Sequence, residues 1–427
     1  MHPITSMFGF VKTVPIWWIL AGVAFVIRFV AAIVAGGFDQ PEVFEYEYAA
    51  RELIQGRGLT YPHLGITYYS YLPPLYVWIC AGIYLLTGGA TSAVLLVQML
   101  VAAAHTLLVF KVANHLMGRS AGIVSGLLLA VHPGLIVYSS LKLHPLVFDA
   151  FFFTLLLWQF VRLREDGSVT RFAATGVIGG LGMLSRSTTA ILLPLGCLWL
   201  LVTSVSRRQG WVPLLGRCAL VGVCAAVVVT PWAIRNARIH QEFVPFVTAV
   251  GEVFWRGNNP HATGHSYVDA GGIVLDTLPP SARAELQGLA TEIEQSNWFR
   301  DRAFSFIVEN PGEFVRLTAT KFFYFWWFSP QSGIEYPRSW LFAYQAYYAF
   351  LVVLAMTGIW VVGRGNVAGR WLAVLLIVFI LAISSLQSLY YVEGRHRWGV
   401  EPLLLILTGA GISHVLQKNR NRQLEKT

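Results

Sequence analysis

Residues 14–48 read VPIWWILAGVAFVIRFVAAIVAGGFDQPEVFEYEY, an apolar run closed by Gly36-Gly37 and followed at once by a cluster of acids and aromatics. The run from Val14 to Gly36 is long enough to cross a hydrocarbon core about 30 Å thick at ~1.5 Å per residue. It is too long for a signal-peptide core and lacks a convincing cleavage site, so it reads as a retained first span. The stretch behind it, Phe38 to Tyr48, sets four of the chain's 22 acids within nine positions at a membrane boundary. Carboxylates held there are suited to base chemistry on a substrate presented from the bilayer.

The rest of the chain repeats the first feature and not the second. Of its 427 residues 56% are hydrophobic and 12% charged, where an average soluble domain has roughly 25% charged. This composition predicts an all-α polytopic membrane protein. The net charge of +9 is not a nucleic-acid signal, because the basic residues fall mainly in short loops between apolar runs, as membrane topology demands. Cys80, Cys197, Cys218 and Cys224 lie in apolar segments without metal-ligand spacing and read as packing residues.

Ten spans are expected, at roughly 14–36, 91–113, 120–139, 145–163, 171–187, 189–205, 217–234, 341–362, 371–391 and 399–417. Two further apolar segments, 73–87 and 313–329, are ambiguous. If both lie along the surface, the connections holding Lys111, Arg119, Arg162, Arg164, Arg171, Arg207, Arg208 and Arg217 face the cytoplasm. Arg364, Arg370 and the basic tail with Lys418, Arg420, Arg422 and Lys426 do so too. If both cross, the first eight of those charges move outside, against the positive-inside rule. The segments are therefore read as interfacial helices, with both termini cytoplasmic in the inner membrane.

Three regions follow. Residues 1–234 form an N-terminal transmembrane catalytic module with the first extracytoplasmic loop at 37–90. Residues 235–340 form a small α-rich extracytoplasmic cap that includes the interfacial helix 313–329. Residues 341–427 supply the last spans and the tail. Within the cap, Gly257-Asn258-Asn259-Pro260 and Gly271-Gly272 mark turns. Ser281 after Pro279-Pro280 can cap a helix running to about Glu309.

All the candidate chemistry gathers on the extracytoplasmic face. A helix over Glu42–Gln55 would put Glu45 and Glu52 on one face, ended by Gly56 and Gly58. Asp39 and Glu45 are the candidate catalytic acids, while Glu42, Glu47 and Glu52 read as solvating the helix. Arg28, inside the first span, is either functional or an internal contact that holds the bundle. A second group is basic: Lys142 and His144 between spans three and four, Arg186 at the turn Leu184-Ser185-Arg186-Ser187, Arg235 after Pro231-Trp232, and Arg395 and Arg397 before the last span. Arginines at outer span ends run against the usual bias, and a lipid-carrier phosphate is the natural anion for guanidinium forks. Snorkelling to headgroup phosphates is the plainer reading of each taken singly. Metal-ligand spacing is lacking, and a divalent cation (Mg or Mn) held on Asp39, Glu45 and a donor phosphate is left open.

Placed in order, these pieces resemble a bacterial glycosyltransferase of the GT-C superfamily, similar to the protein O-mannosyltransferases and lipid A aminoarabinose transferases. The resemblance rests on the acid after span one and the helix Glu45-Tyr46-Glu47-Tyr48-Ala49-Ala50-Arg51-Glu52-Leu53 with Gly56-Arg57-Gly58. It continues in Leu72-Pro73-Pro74-Leu75-Tyr76, Leu184-Ser185-Arg186, Pro231-Trp232-Ala233-Ile234-Arg235-Asn236, Gly257-Asn258-Asn259-Pro260 and Arg395-His396-Arg397 ahead of Glu401-Pro402. It implies an inverting transferase with a polyprenyl-phosphate sugar donor, a glycan, lipid or protein acceptor, and membrane lipids around it. Asp39, or Glu45, would be the base. Arg186, Arg235, Arg395, Arg397, Lys142 and His144 would bind the donor phosphate, and Asn236, Asn258 and Tyr46 the substrate. Many relatives carry an acid after span three; Lys142 and His144 stand there, leaving that second acidic role unfilled.

Two other classes compete. A transporter or flippase of lipid-linked sugars would be expected to place charges near the midplane and show repeated halves, neither of which is seen. A polysaccharide polymerase or ligase using a lipid-diphosphate donor would share the outer arginines.

Overall fold

The computed structural model describes residues 15–206, 211–268, 272–330 and 337–424. Arg207, Arg208, Gly271 and Lys426 lie outside the described residues, as do the side chains of Arg420 and Arg422. The chain is a helical membrane bundle. Among the described residues the first helix, α1 (Ile16–Val34), is followed by α2 (Glu45–Ile54), a hairpin of β1 (Tyr61–His63) and β2 (Ile66–Tyr68), and α3 (Pro74–Thr87). Then come α4 (Thr91–Met117), α5 (Arg119–Ala130), α6 (Pro133–Ser140), α7 (Leu146–Glu165), α8 (Val169–Ser185), α9 (Leu192–Ser206) and α10 (Trp211–His240). A cap follows, made of α11 (Val250–Gly257), α12 (Pro280–Gln287), α13 (Glu292–Glu309) and α14 (Pro311–Trp326). The chain closes with α15 (Arg338–Arg364), α16 (Val367–Ser388), α17 (Gly394–Trp398) and α18 (Glu401–Leu424).

Every expected span coincides with helix, although ten is approximate. Among the described residues seven segments are long and apolar enough to cross a membrane, and α5 with α6, bent by 53°, makes an eighth. Helix α8 has only 17 residues, and α18 is not among the seven. Helix α3, at 14 residues, is about 21 Å long and too short to cross.

The bend between α5 and α6 explains Arg28. Pro133 removes a backbone donor and breaks the helix, freeing carbonyls inside the bundle. Arg28, 1% exposed, donates to the carbonyls of Ala130 (3.0 Å) and Leu129 (3.3 Å), to Ala24 in its own helix, and through Nε to Ser139 Oγ (3.0 Å). Of its two readings the internal one holds.

Alternation of the helices brings the loops 35–90, 141–145, 186–187 and 389–400, and the described residues of 241–268, 272–330 and 337, to one end of the bundle. The basic connections around Arg119, Arg162–Arg171 and Arg364–Arg370 come to the other. Three local expectations are corrected. The first-loop helix starts at Glu45, not Glu42, because Glu42 is extended and pairs with Lys142 in a parallel bridge. The cap helix expected from Ser281 to Glu309 is two helices: Pro280 opens the first, and a new N-cap, Thr291 paired with Glu294, opens the second. The β1–β2 hairpin was not anticipated. It turns on Leu64 (φ 48°) and Gly65 (φ 86°), both left-handed.

Candidate active site

The site lies where the first loop, the turn before α7, the end of α8 and the segment before α18 converge. Gly37 makes the convergence tight. A Cβ there would overlap the Ser140 carbonyl at the end of α6, so only glycine lets the first loop approach so closely. From Gly37 the chain runs to Glu42, whose N–H donates to Leu141 O (2.8 Å) and whose carbonyl accepts from Leu143 N (2.9 Å). The Lys142 ammonium then sits 2.7 Å from the Glu42 carboxylate. Asp39 occupies the exposed turn between these two anchors.

Beyond that bridge α2 opens with Glu45 and Tyr46. Tyr46 packs edge-on against Tyr76 and His144. Burial, and then the charges of Glu45 and Asp149, push its phenol up, while Arg186 and Arg395 lie close enough to pull the other way. Glu45, Asp149, Arg186 and Arg395 thus lie within electrostatic reach of one ring, although the chain separates the outer two by 350 residues.

Asp149 is the residue the sequence reading missed. It is 2% exposed in the first turn of α7, accepts from Ser185 Oγ at 2.7 Å, and lies 3.4 Å from Arg186 Nη1. The other arm of Arg186 reaches Gln387 Oε1 at 3.2 Å. A buried carboxylate next to the site thus stands within α7, a few residues beyond Lys142 and His144. Its signal was present: an acid inside the apolar run Leu146-Val147-Phe148-Asp149-Ala150-Phe151 is costly unless it has a partner.

The basic residues divide into two groups. Arg186 and Arg395 retain side-chain exposures of 22% and 26% and can reach a ligand. Arg395 is held by Glu393 at 3.0 Å, and Glu393 in turn accepts from Ser266 of the cap. Arg397, 2% exposed, is bound to Glu401 (2.7 Å), which also takes His132, and lies 4.0 Å from the Tyr348 ring centre. Arg235 donates to Tyr69 O (2.7 Å) and Ser70 Oγ (3.0 Å), pinning the first loop to α10. Lys142 faces the Glu42 carboxylate and the Tyr138 ring. His144 is half-buried, edge-on to Phe44, Tyr46 and Tyr138. Burial first, then Arg395, Arg186 and Lys142, hold it neutral, well below the ordinary histidine range.

The two asparagines serve the backbone. Asn236, fully buried, donates to Val244 O and Phe246 O and accepts from Ser70 Oγ. Asn258 donates to Phe254 O and Leu389 O and accepts from Lys321 Nζ at 3.0 Å. Among the described residues no group of three or more His, Cys, Asp or Glu side chains is gathered for a metal ion.

Residues 72–234 match the family model described as dolichyl-phosphate-mannose-protein mannosyltransferase. The same architecture recurs in the oligosaccharyltransferase AglB of Archaeoglobus fulgidus, solved with an inhibitory peptide and a dolichol-phosphate (TM-score 0.58, 12% identity, 96% of this chain and 51% of that one). This is the GT-C glycosyltransferase fold. The apo form of the archaeal enzyme gives the same TM-score of 0.58 at 14% identity, covering 96% and 52% of the two chains. ArnT of Cupriavidus metallidurans, bound to undecaprenyl phosphate, aligns at a TM-score of 0.45 and 17% identity over 92% of this chain and 76% of its own. The present chain spans about half the length of the archaeal enzyme. No curated protein matches it by sequence.

Proposed function

We propose that the chain is an inverting glycosyltransferase that moves a sugar from a polyprenyl-phosphate carrier to an acceptor on the extracytoplasmic face. The observation that carries this reading is the pair of partly exposed, pre-oriented arginines, Arg186 on Asp149 and Arg395 on Glu393, at the loop-bearing end of the bundle where α2 places Glu45. The mannosyltransferase family match over 72–234 and the dolichol-phosphate bound to the archaeal neighbour support a lipid-phosphate donor.

Glu45 takes the proton from the acceptor hydroxyl or amine. Glu42 is committed to Lys142, Glu47 to Arg51, and Asp39 stands out in the exposed turn, so the role falls to Glu45, half-buried at the start of α2. The freed lone pair attacks the anomeric carbon from the side opposite the phosphate. The anomeric C–O bond then breaks with its electron pair leaving on the carrier phosphate. Arg186 and Arg395 meet the charge that develops there, at no cost in reorganisation because Asp149, Gln387 and Glu393 already orient them. Arg235, Arg397, Asn236 and Asn258 keep the four segments in place.

Purified protein in nanodiscs, supplied with a panel of polyprenyl-phosphate sugars and cell-envelope extract, tests the reading. Glu45→Gln should lower transfer by about 10²–10⁴-fold, the range for a lost general base, while donor binding persists. Loss in Asp39→Asn alone would move the base to Asp39. A divalent cation joins the site if EDTA abolishes transfer and Mg or Mn restores it. Turnover only with a lipid diphosphate would make the protein a polymerase or ligase. Donor flipping in proteoliposomes without transfer would replace the enzyme by a transporter.

A further inference from the structure

The β1–β2 hairpin carries more aromatic surface than its own anchoring uses. Tyr68 is buried and donates to Gln295 Oε1 (2.5 Å). Gln295 reaches back to Leu64 O, Glu292 accepts from the N–H groups of Tyr69 and Ser70, and Arg235 holds Tyr69 O. These bonds fasten the hairpin to α13 and α10. Tyr61, His63 and Tyr71 take no part in them and remain only partly buried. Instead they stack on one another: Tyr61 lies 5.3 Å from Tyr71 and 5.8 Å from His63, tilted by less than 30° from both. Tyr48, 42% exposed, closes the outer end against Tyr61.

A pair of opposite charges borders this wall. Glu252 of α11 takes His63 Nε2 at 2.8 Å and is ion-paired with Arg256, whose guanidinium lies 5.9 Å from the Tyr391 ring centre. Burial alone would raise the Glu252 carboxyl; Arg256 and His63 outweigh it and keep it ionised. Tyr48, which touches Tyr61, lies on α2 one turn from Glu45, so the wall adjoins the base proposed above.

We propose that Tyr61, Tyr71 and His63, with the Glu252–Arg256 pair, form the binding subsite for a saccharide acceptor. This deepens the transferase reading and rests on it. The C–H groups on one face of a sugar ring lie flat on tyrosine faces, whose π electrons carry partial negative charge. Its hydroxyls can accept from the partly exposed Arg256 guanidinium, which the buried Glu252 holds in place together with His63. A mostly apolar wall with a few placed polar groups is the usual form of a small-molecule site.

Saturation-transfer NMR on the full chain in nanodiscs tests the subsite. The probes are free hexoses, N-acetylhexosamines, uronates and their disaccharides, alongside serine- and threonine-containing peptides and polyprenyl phosphate. At least one saccharide should receive saturation. Tyr61→Leu and Tyr71→Leu should weaken its binding at least tenfold, while Tyr61→Phe and Arg395→Ala retain it. Thermal unfolding of each variant separates lost binding from lost structure. Saccharide binding that both leucine variants leave unchanged overturns the proposal, and so does transfer to peptides alone. Polyprenyl phosphate that binds while every saccharide fails overturns the subsite and leaves the transferase standing. Failure of polyprenyl phosphate to bind would instead strike at the transferase.

Discussion

Glu42 and Lys142 are joined twice, by a parallel backbone bridge and by an ion pair of 2.7 Å between their side chains. The pair ties the acidic stretch to the turn that leads into Asp149, so the spacing between base and leaving-group charges depends on it. With Glu42 more than half exposed, the pair is worth only ~0.2–1 kcal/mol. Lys142→Met should leave the melting temperature within about 2 °C of the parent while kcat falls roughly tenfold. A fall in stability that matches the fall in activity would show instead that the pair is merely structural.

The two arginines of Arg395-His396-Arg397 should separate cleanly. Arg397→Ala strands Glu401 and disturbs His132 in a site closed to water, and breaking such a pair typically costs 3–5 kcal/mol. Chemical or thermal unfolding should register that loss. Arg395→Ala should unfold close to the parent and bind polyprenyl phosphate at least tenfold more weakly.

Asp149→Asn keeps the shape and the Ser185 contact but removes the charge that orients Arg186. Transfer should drop by about a hundredfold, mainly in kcat, with the fold preserved. Ser185→Ala should cost much less. Equal losses in the two variants would assign the role to the hydrogen bond and not to the charge.

Stability should decline in mild acid. His144 and His396 are both held well below the ordinary histidine pKa, chiefly by burial and then by Arg395, Arg186 and their other cationic neighbours. Below the unfolded value of ~6.5 the unfolded chain binds protons that the folded chain refuses. Stability is therefore complete above that pH and is lost as pH falls through it, by at most ~1.4 kcal/mol per pH unit for each histidine. Melting temperatures measured from pH 8 to pH 5 should show this slope, and His144→Asn should flatten it.

Helix positions could be read from hydropathy because a membrane leaves few alternatives: a run of twenty apolar residues must be a helix or stay unfolded. The site was readable where residues break that rule visibly, as the outer arginines do. It was harder to read where one residue type serves two purposes. Arg186 and Arg397 look alike in sequence, yet one faces the cavity and the other a buried glutamate. Asn236 and Asn258 stand in motif positions, yet their amides are spent on carbonyls of distant loops. The hairpin was hidden because Leu64, with a left-handed backbone, stands where a turn ordinarily shows asparagine or glycine.

The segment before α18 has a consequence for how the protein comes into being. Arg395 and Glu393 precede α18, and Glu401, which holds both His132 and Arg397, lies in its first turn. A nascent chain that has inserted only the helices before this segment already carries Glu45, Asp149 and Arg186, but Arg395 is still to be made. On the proposed mechanism such a chain holds its acids in place while one of its two partly exposed arginines is missing, so transfer must wait for α18.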